Sequence, residues 1–278
     1  MGRATRCAVL VAAVVATFAA PTFASPKVAV VVLENKNPEQ VLRKGWLAQQ
    51  AVQGGRAVDA HSEVHPSFGN YLAMLSGSTQ GVHDDDVRHG PFSAPTIVRQ
   101  LKRHGVSWRA YMNAMPEPCY GRRSDRDQTG RYAKRHNPFL FFKEVANYPG
   151  FCADHVVPGD RLAEDLLQGL PDFVWITPDL CEDMHDCSVA YGQRWMARVL
   201  PGVIQALGPD GVLFVTADEG HNSDRIPMVA LGGGVRPGSV LRRRASHRTL
   251  LATIEDLLGL GRLPATRYDA TLAPLLRS

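Results

Sequence analysis

Cysteine is scarce, at five in 278 residues, so no dense disulfide scaffold substitutes for a core. Long basic runs are missing as well. The formal charge of +4 falls to +2 without Arg3 and Arg6, which argues against nucleic acid as a partner. Beyond residue 24 no apolar stretch is long enough to span a bilayer, so stable membrane insertion of the mature chain is not expected. There is no G-x-S-x-G elbow, which excludes a Ser-His-Asp hydrolase of the α/β-hydrolase pattern. Internal repeats, low-complexity tracts and linker-like shifts of composition are also lacking, and one domain is the simplest organisation. What is present, 45% hydrophobic and 21% charged residues, is too apolar for a disordered chain and too polar for a membrane bundle.

The first 24 residues have the three parts of a signal peptide. Arg3 and Arg6 precede the apolar run CAVLVAAVVATFAA, and Thr22-Phe23-Ala24 places small residues at −3 and −1 before Ser25-Pro26. Residues 1–24 are therefore expected to leave, and 25–278 to form a single catalytic domain that is secreted or periplasmic. Cys7 departs with the signal, and four cysteines remain. Cys181 and Cys187 bracket EDMHD, and joining them would hold the intervening side chains in place, which leaves Cys119 to pair with Cys152.

Residues 27–33, 173–177 and 212–216 (VAVVVL after Lys27, FVWIT and VLFVT) are β-branched or aromatic runs suited to strands buried on both faces. Residues 226–231 give a weaker strand, placed at an edge by Pro227. Helical patterns are expected over 67–75, 94–104, 137–145, 189–207 and 247–258, with Pro201 kinking the longest. Alternating strands and helices predict an α/β fold, a doubly wound, mostly parallel sheet between helical layers. Residues 116–136 are polar and Arg-rich without a sustained period, and read as a surface loop or lid.

Ligands of open α/β sheets bind beyond the carboxyl ends of the strands, and there the sequence is acidic three times. Glu34-Asn35 follows the first run. Asp179, Glu182, Asp183, His185 and Asp186 follow the second, and Asp218-Glu219 the third. Converging carboxylates repel unless a cation neutralises them. Oxygen ligands suit Mg²⁺, Ca²⁺ or Mn²⁺, and a histidine would admit Zn²⁺ or Fe, so a divalent metal is expected and its identity is left open. Ser67, in His65-Pro66-Ser67-Phe68-Gly69-Asn70-Tyr71, opens a helix. It can be an N-cap, or a hydroxyl placed where backbone N–H groups favour an anion such as a phosphoryl group, with Asn70 one turn on.

In this order the blocks LENKNPEQV, HPSFGNYLAMLSGS, YAKRHNPFLFF, ITPDLCEDMHDCS, TADEGH, IPMVALGGGVRPG and HRTLLATIEDLLGL resemble the phosphoesterase family of bacterial acid phosphatases and phospholipases C, within the alkaline-phosphatase superfamily. The resemblance implies a three-layer α/β/α sandwich. It also implies metal ligation by Glu34, Asn35, Asp218 and Glu219, with Ser67 as nucleophile and Asn70 as a phosphoryl-oxygen donor. Asp183 would line the pocket, His136 could contact phosphate or start a helix, and His247 stands where the superfamily often keeps a metal- or phosphate-binding histidine. Family members often have Pro where Gly69 stands and Asn where Asp179 stands.

The expected activity is a metal-dependent phosphomonoesterase working through phosphoserine, with His185 protonating the leaving group. Its partner is a small phosphorylated substrate, and the oligomeric state is open. A phospholipase C or phosphodiesterase is the alternative, as is a secreted module that binds phosphate ligands without turnover. A sulfatase is disfavoured because no C/S-x-P-x-R run surrounds Ser67.

Overall fold

A computed structural model describes residues 1–2, 25–121 and 125–277. The expected signal peptide falls almost wholly outside the described residues. The strands are β1 (Val28–Leu33), β2 (Gly55–Ala57), β3 (Ala60–His61), β4 (Trp108–Met112), β5 (Val156–Pro158), β6 (Phe173–Thr177), β7 (Val212–Ala217), β8 (Met228–Leu231), β9 (Ser239–Leu241) and β10 (Ala245–Ser246). The helices are α1 (Pro38–Val41), α2 (Trp46–Gln53), α3 (Ser67–Ser76), α4 (Ile97–His104), α5 (Lys143–Ala146), α6 (Pro149–His155), α7 (Arg161–Gln168), α8 (Val189–Leu207) and α9 (His247–Leu257).

Eight strands form one sheet in the order β5-β4-β6-β1-β7-β8-β2-β9, and β10 pairs with β3 in a small second sheet. From β5 to β7 all pairings are parallel, and β8 is antiparallel to both β7 and β2. The three apolar runs occupy the middle, and every residue of β1, β6 and β7 is buried. Burial of both faces explains why they are continuously hydrophobic rather than alternating. Helices α3, α8 and α9 contribute buried faces to the same core.

Several local expectations are corrected. Residues 226–227 stay outside β8, and β8 lies inside the sheet rather than at its edge. Pro227 avoids a ladder position and uses its carbonyl to accept from Thr216 Oγ1 at 2.9 Å. The helix expected over 137–145 is split into a 3₁₀ turn at Pro138–Phe141 and the short α5, because Phe142 is extended and bridges to Phe92. Helix α8 continues past Pro201, and α4 starts later than expected, with Thr96 as its cap. Strand β4 escaped notice because its sequence, WRAYM, mixes an arginine into a short run.

Residues 116–136 are not simply a surface loop. Tyr120, Asp127, Tyr132, Arg135 and His136 are buried. Asp127 organises the turn by accepting from the backbone N–H groups of Thr129, Arg131 and Tyr132. Disulfides join Cys119 to Cys152 and Cys181 to Cys187, and the second closes the short loop that carries Asp183 and His185. No helix among the described residues is long and apolar enough to cross a membrane.

Candidate active site

The strand order decides where the acidic segments meet. Strand β1 lies between β6 and β7 and runs parallel to both, so all three chains leave the sheet side by side at their carboxyl ends. Backbone hydrogen bonds continue the ladder past the strands. Glu34 N donates to Asp183 O at 3.0 Å, Asp218 N to Leu33 O at 3.0 Å, and Lys36 N to Glu219 O at 3.0 Å.

Glu34 is fully buried at the centre. Its Oε1 accepts from Tyr71 OH at 2.6 Å and its Oε2 from Ser67 Oγ at 3.3 Å. Ser67 and Tyr71 are four residues apart on α3 and so share one helical face, which is turned toward Glu34. His136 is also buried, stacked on the Tyr71 ring with centroids 5.1 Å apart. Its Nε2 lies 3.4 Å from Glu34 Oε1 and its Nδ1 3.8 Å from Asp183 Oδ2. Ligand atoms of Glu34, His136 and Asp183 all fall within 4.8 Å of one another.

The second half of the cluster is tied through Asn35, whose φ of 49° puts it in the left-handed region that asparagine tolerates better than most residues. Asn35 N donates to Asp218 Oδ1 at 2.9 Å and Asn35 Nδ2 to Glu219 Oε1 at 2.6 Å. His65 Nδ1 lies 2.7 Å from Glu219 Oε2 without the alignment of a hydrogen bond. His247 is buried at the start of α9, where its Nε2 donates to Ala217 O at 2.9 Å, leaving the Nδ1 lone pair free of a donor.

The electrostatics follow from burial of like charges. Glu34 is pushed well above the ordinary carboxylate range, first by burial and then by the charges of Asp218 and Asp183. Burial is also the main cause that raises Asp183 and Asp218. Glu219 is pushed up to about 8 by burial, then by Asp218 and Asp85. His136 and His247 are both lowered by burial, which keeps their imidazoles neutral. Lys36, also buried, is lowered by desolvation against the opposing pull of Asp183, Glu34 and Asp218.

Among the described residues, five buried atoms of these side chains have no hydrogen-bond partner: Asp183 Oδ2, Asp218 Oδ2, Glu219 Oε2, His136 Nε2 and His247 Nδ1. An uncompensated buried carboxylate oxygen is costly, and several of them around one point are the chemistry of a cation site. Carboxylate oxygens with neutral imidazole nitrogens fit a divalent metal ion.

Asn35 ties Asp218 and Glu219 to the segment of Glu34, and Ser67 lies against Glu34, but of the four residues expected as ligands only Glu34 belongs to the compact Glu34–His136–Asp183 group. Asn70 has a structural part that its expected one did not include. Its Oδ1 accepts from the N–H groups of Glu63 and Val64 at 2.9 and 3.1 Å, and its Nδ2 donates to Val64 O at 2.7 Å, so the amide braces the segment leading to His65 with one of its two N–H hydrogens. The N–H of Phe68, in the first turn of α3, is taken by Asp85 Oδ1 at 3.0 Å. Gly69 answers the departure at that position, since a Cβ there would stand 2.6 Å from Val64 Cγ1 and 2.8 Å from Val82 O.

His185 lies at the rim. Its Nδ1 is 2.6 Å from Asp186 Oδ1, and its ring centroid is 6.1 Å from that of His136. Sequence reasoning assigned His136 and Asp183 to substrate contact and missed their proximity to Glu34. It gave Tyr71 and Lys36 no role, and counted Arg135 only among the positive charges of the Arg-rich stretch 116–136. The helical spacing of Ser67 and Tyr71 was an available signal, whereas His136 reaches the site only through the fold of residues 125–136.

Comparison with known proteins identifies the family and the fold. Residues 43–222 match the model of the Phosphoesterase family. A phosphatidylinositol-3-phosphatase of Mycobacterium tuberculosis is 31% identical over 94% of this chain and 84% of its own length. A phosphate-repressible acid phosphatase of Penicillium chrysogenum is 27% identical over 88% of this chain, which spans only 61% of that protein. The fold is shared with a solved member of the alkaline phosphatase superfamily from Vibrio parahaemolyticus, with a TM-score of 0.62 at 12% identity, covering 92% of this chain and 71% of that one. The chain is a phosphoric ester hydrolase and belongs to the Phosphoesterase family.

Proposed function

We propose that the protein is an exported, metal-dependent phosphomonoesterase that works through a phosphoserine intermediate on Ser67. The observation that carries this reading is the ring of unpartnered buried atoms around Glu34, with the Ser67 hydroxyl 3.3 Å from Glu34 Oε2. Glu34, Asn35, Asp218 and Glu219 are the proposed ligands, and Asp183 and His136, grouped with Glu34 within 4.8 Å, offer further donor atoms. A bound divalent cation supplies Lewis acidity, lowering the pKa of the serine hydroxyl and screening the phosphoryl oxygens.

Ser67 Oγ attacks phosphorus in line, its proton passing toward the carboxylate cluster, and the bond to the leaving oxygen breaks. His185, oriented by Asp186, delivers a proton to that oxygen. Water then cleaves the phosphoserine, returning the hydroxyl and releasing phosphate. Lys36 and Arg135, both buried near the carboxylates, offset part of the negative charge that the substrate adds.

Relatives named as phosphatases favour a monoester over a diester. The apolar, Arg-led start of the chain and two disulfides support export, with 25–278 as one catalytic domain after removal of 1–24. The test is stripped protein reloaded with single cations and assayed on p-nitrophenyl phosphate and bis(p-nitrophenyl) phosphate. The reading expects metal-restored turnover, faster on the monoester, and an acid-stable phosphoenzyme that Ser67→Ala cannot form. Faster turnover of the diester makes it a phosphodiesterase. Phosphate binding without turnover makes it a binding protein.

A further inference from the structure

Helix α3 begins at Ser67, and the N–H groups of a first helical turn, having no partner within the helix, form a natural seat for an anion. In this protein the seat is taken. The N–H of Phe68, the residue after Ser67, donates to Asp85 Oδ1 at 3.0 Å. The other oxygen of that carboxylate turns to Arg135, with Oδ2 3.5 Å from Nε. The Arg135 side chain is nine-tenths buried, and its Nη1 is engaged by Asp125. Its Nε has no hydrogen-bond partner among the described residues, because the approach to Asp85 lacks the alignment of a hydrogen bond. One carboxylate therefore spans a backbone N–H beside the Ser67 hydroxyl and a guanidinium N–H, which are the two kinds of donor that hold phosphoryl oxygens.

Asp85 is brought there by the connection between α3 and α4, residues 77–96. Gly69 lets Thr79 and Val82 lie against α3, since a Cβ would stand 2.8 Å from Val82 O and 3.4 Å from Thr79 Cβ. Burial and then Asp218 raise Glu219, and the charge of Asp85 adds to them, so Asp85 faces the carboxylate cluster. Its own backbone does not pin it. Among the described residues the N–H groups of His83, Asp84 and Asp85 have no acceptor, His83 and Asp84 are exposed, and the Asp85 side chain is 36% exposed. Rotation of the carboxylate toward solvent breaks its two contacts and no backbone ladder. The neighbouring acids are occupied within their own loop, Asp84 by His89 and Asp86 by Arg88.

We propose that Asp85 is an intramolecular competitor for the phosphoryl group, holding Phe68 N–H and Arg135 in the free enzyme and yielding them when substrate binds. The proposal rests on the phosphoserine reading above and adds the residue that sets affinity for substrate and product. A phosphoryl oxygen and a carboxylate cannot share these donors, by space or by charge. Asp85 must leave for substrate and for phosphate alike, so it lowers both apparent affinities by one factor, and its return assists release of phosphate.

The test measures, on the metal-loaded protein, KM and kcat for p-nitrophenyl phosphate and the inhibition constant of inorganic phosphate. Asp85→Ala should lower KM and the inhibition constant by the same factor, about tenfold, as loss of one charge-assisted hydrogen bond allows, without raising kcat. Asp85→Asn should do so less, because its amide oxygen still accepts from Phe68 and only the charge opposite Arg135 is lost. Asp84→Asn removes the same charge one residue away without vacating the donors, and should move either constant by less than about twofold. Arg135→Gln should weaken phosphate at least about tenfold and abolish most of the gain from Asp85→Ala, thermal unfolding confirming that each variant is folded. Constants that rise or stay fixed in both Asp85 variants overturn the proposal and make Asp85 a cap on α3, whose loss lowers the melting temperature alone. Equal tightening by Asp84→Asn also overturns it, since distant charge then suffices. In either case Ser67-dependent turnover of p-nitrophenyl phosphate leaves the phosphomonoesterase reading standing. A parent protein that neither turns over the monoester nor binds phosphate overturns both.

Discussion

Glu34 and Glu255 are both fully buried, yet their surroundings differ in kind. Glu255, on α9, accepts from Gln100 Nε2 at 2.8 Å, Leu263 N at 2.7 Å and Thr266 Oγ1 at 2.6 Å, all neutral donors from different segments. It fastens residues 261–266 to α9 and α4. Glu34 has two hydroxyl donors and faces Asp218 and Asp183, whose charges oppose its own. A buried acid ringed by donors is a structural fastening. A buried acid ringed by other acids keeps its charge only with a cation, so lack of satisfaction rather than depth marks the functional carboxylate.

Substitution should separate the two most widely. Ser67→Ala or Glu34→Ala is expected to lower kcat by at least about 10⁴-fold, as loss of a nucleophile or its activating group does. Glu34→Ala should also lose bound metal, while metal-free unfolding stays cooperative, the loss of a repelling charge offsetting the two hydroxyl donors left behind. Glu255→Ala should do the reverse, lowering stability by about 3 to 5 kcal/mol by stranding three buried donors. Activity per folded molecule should persist. Denaturant titrations beside steady-state kinetics check both, and a Glu255→Ala protein of unchanged stability would erase the contrast.

Tyr71 sharpens the comparison at smaller amplitude, since it is the shortest contact to Glu34 and the platform under His136. Tyr71→Phe keeps the ring and removes the hydroxyl. Metal affinity is expected to fall about 10- to 100-fold, as for other groups that orient ligands, with the stacking preserved. Calorimetric titration of the variant reads this directly.

The pH dependence of the metal-free protein is the subtlest effect. Glu34, Asp183, Asp218 and Glu219 are all raised in the fold, so between their unfolded values and their folded ones the native state holds more protons than the unfolded chain. The buried His136 and His247, lowered in the fold, oppose this below 6.5, so stability falls as pH rises from 6.5 to about 8, the value for Glu219. Loading with metal should flatten that slope. A melting temperature of the stripped protein that rises with pH across this window would contradict the assignment.

The central strands and the acids following them were legible because continuous burial leaves a continuous apolar run, and because strand ends are local features of sequence. Ser67 was legible by its place before an apolar helix. The bracing role of Asn70 was not legible, since helical spacing says which residues are neighbours and not that Glu63 and Val64 fold back to engage its amide. His136 beside Glu34 joins chain segments far apart in sequence, and no local pattern announces it.

The central claim is that the unpartnered carboxylates at the ends of β6, β1 and β7 hold a divalent cation. Isothermal titration of stripped protein with Mg²⁺, Ca²⁺, Mn²⁺ and Zn²⁺ near pH 7, in two buffers of different ionisation enthalpy, tests it most directly. At least one cation should bind with release of protons, because the raised carboxylates are partly protonated beforehand, and Glu34→Gln with Asp218→Asn should remove both binding and release. Binding of no cation, or binding that survives the double substitution, would contradict it.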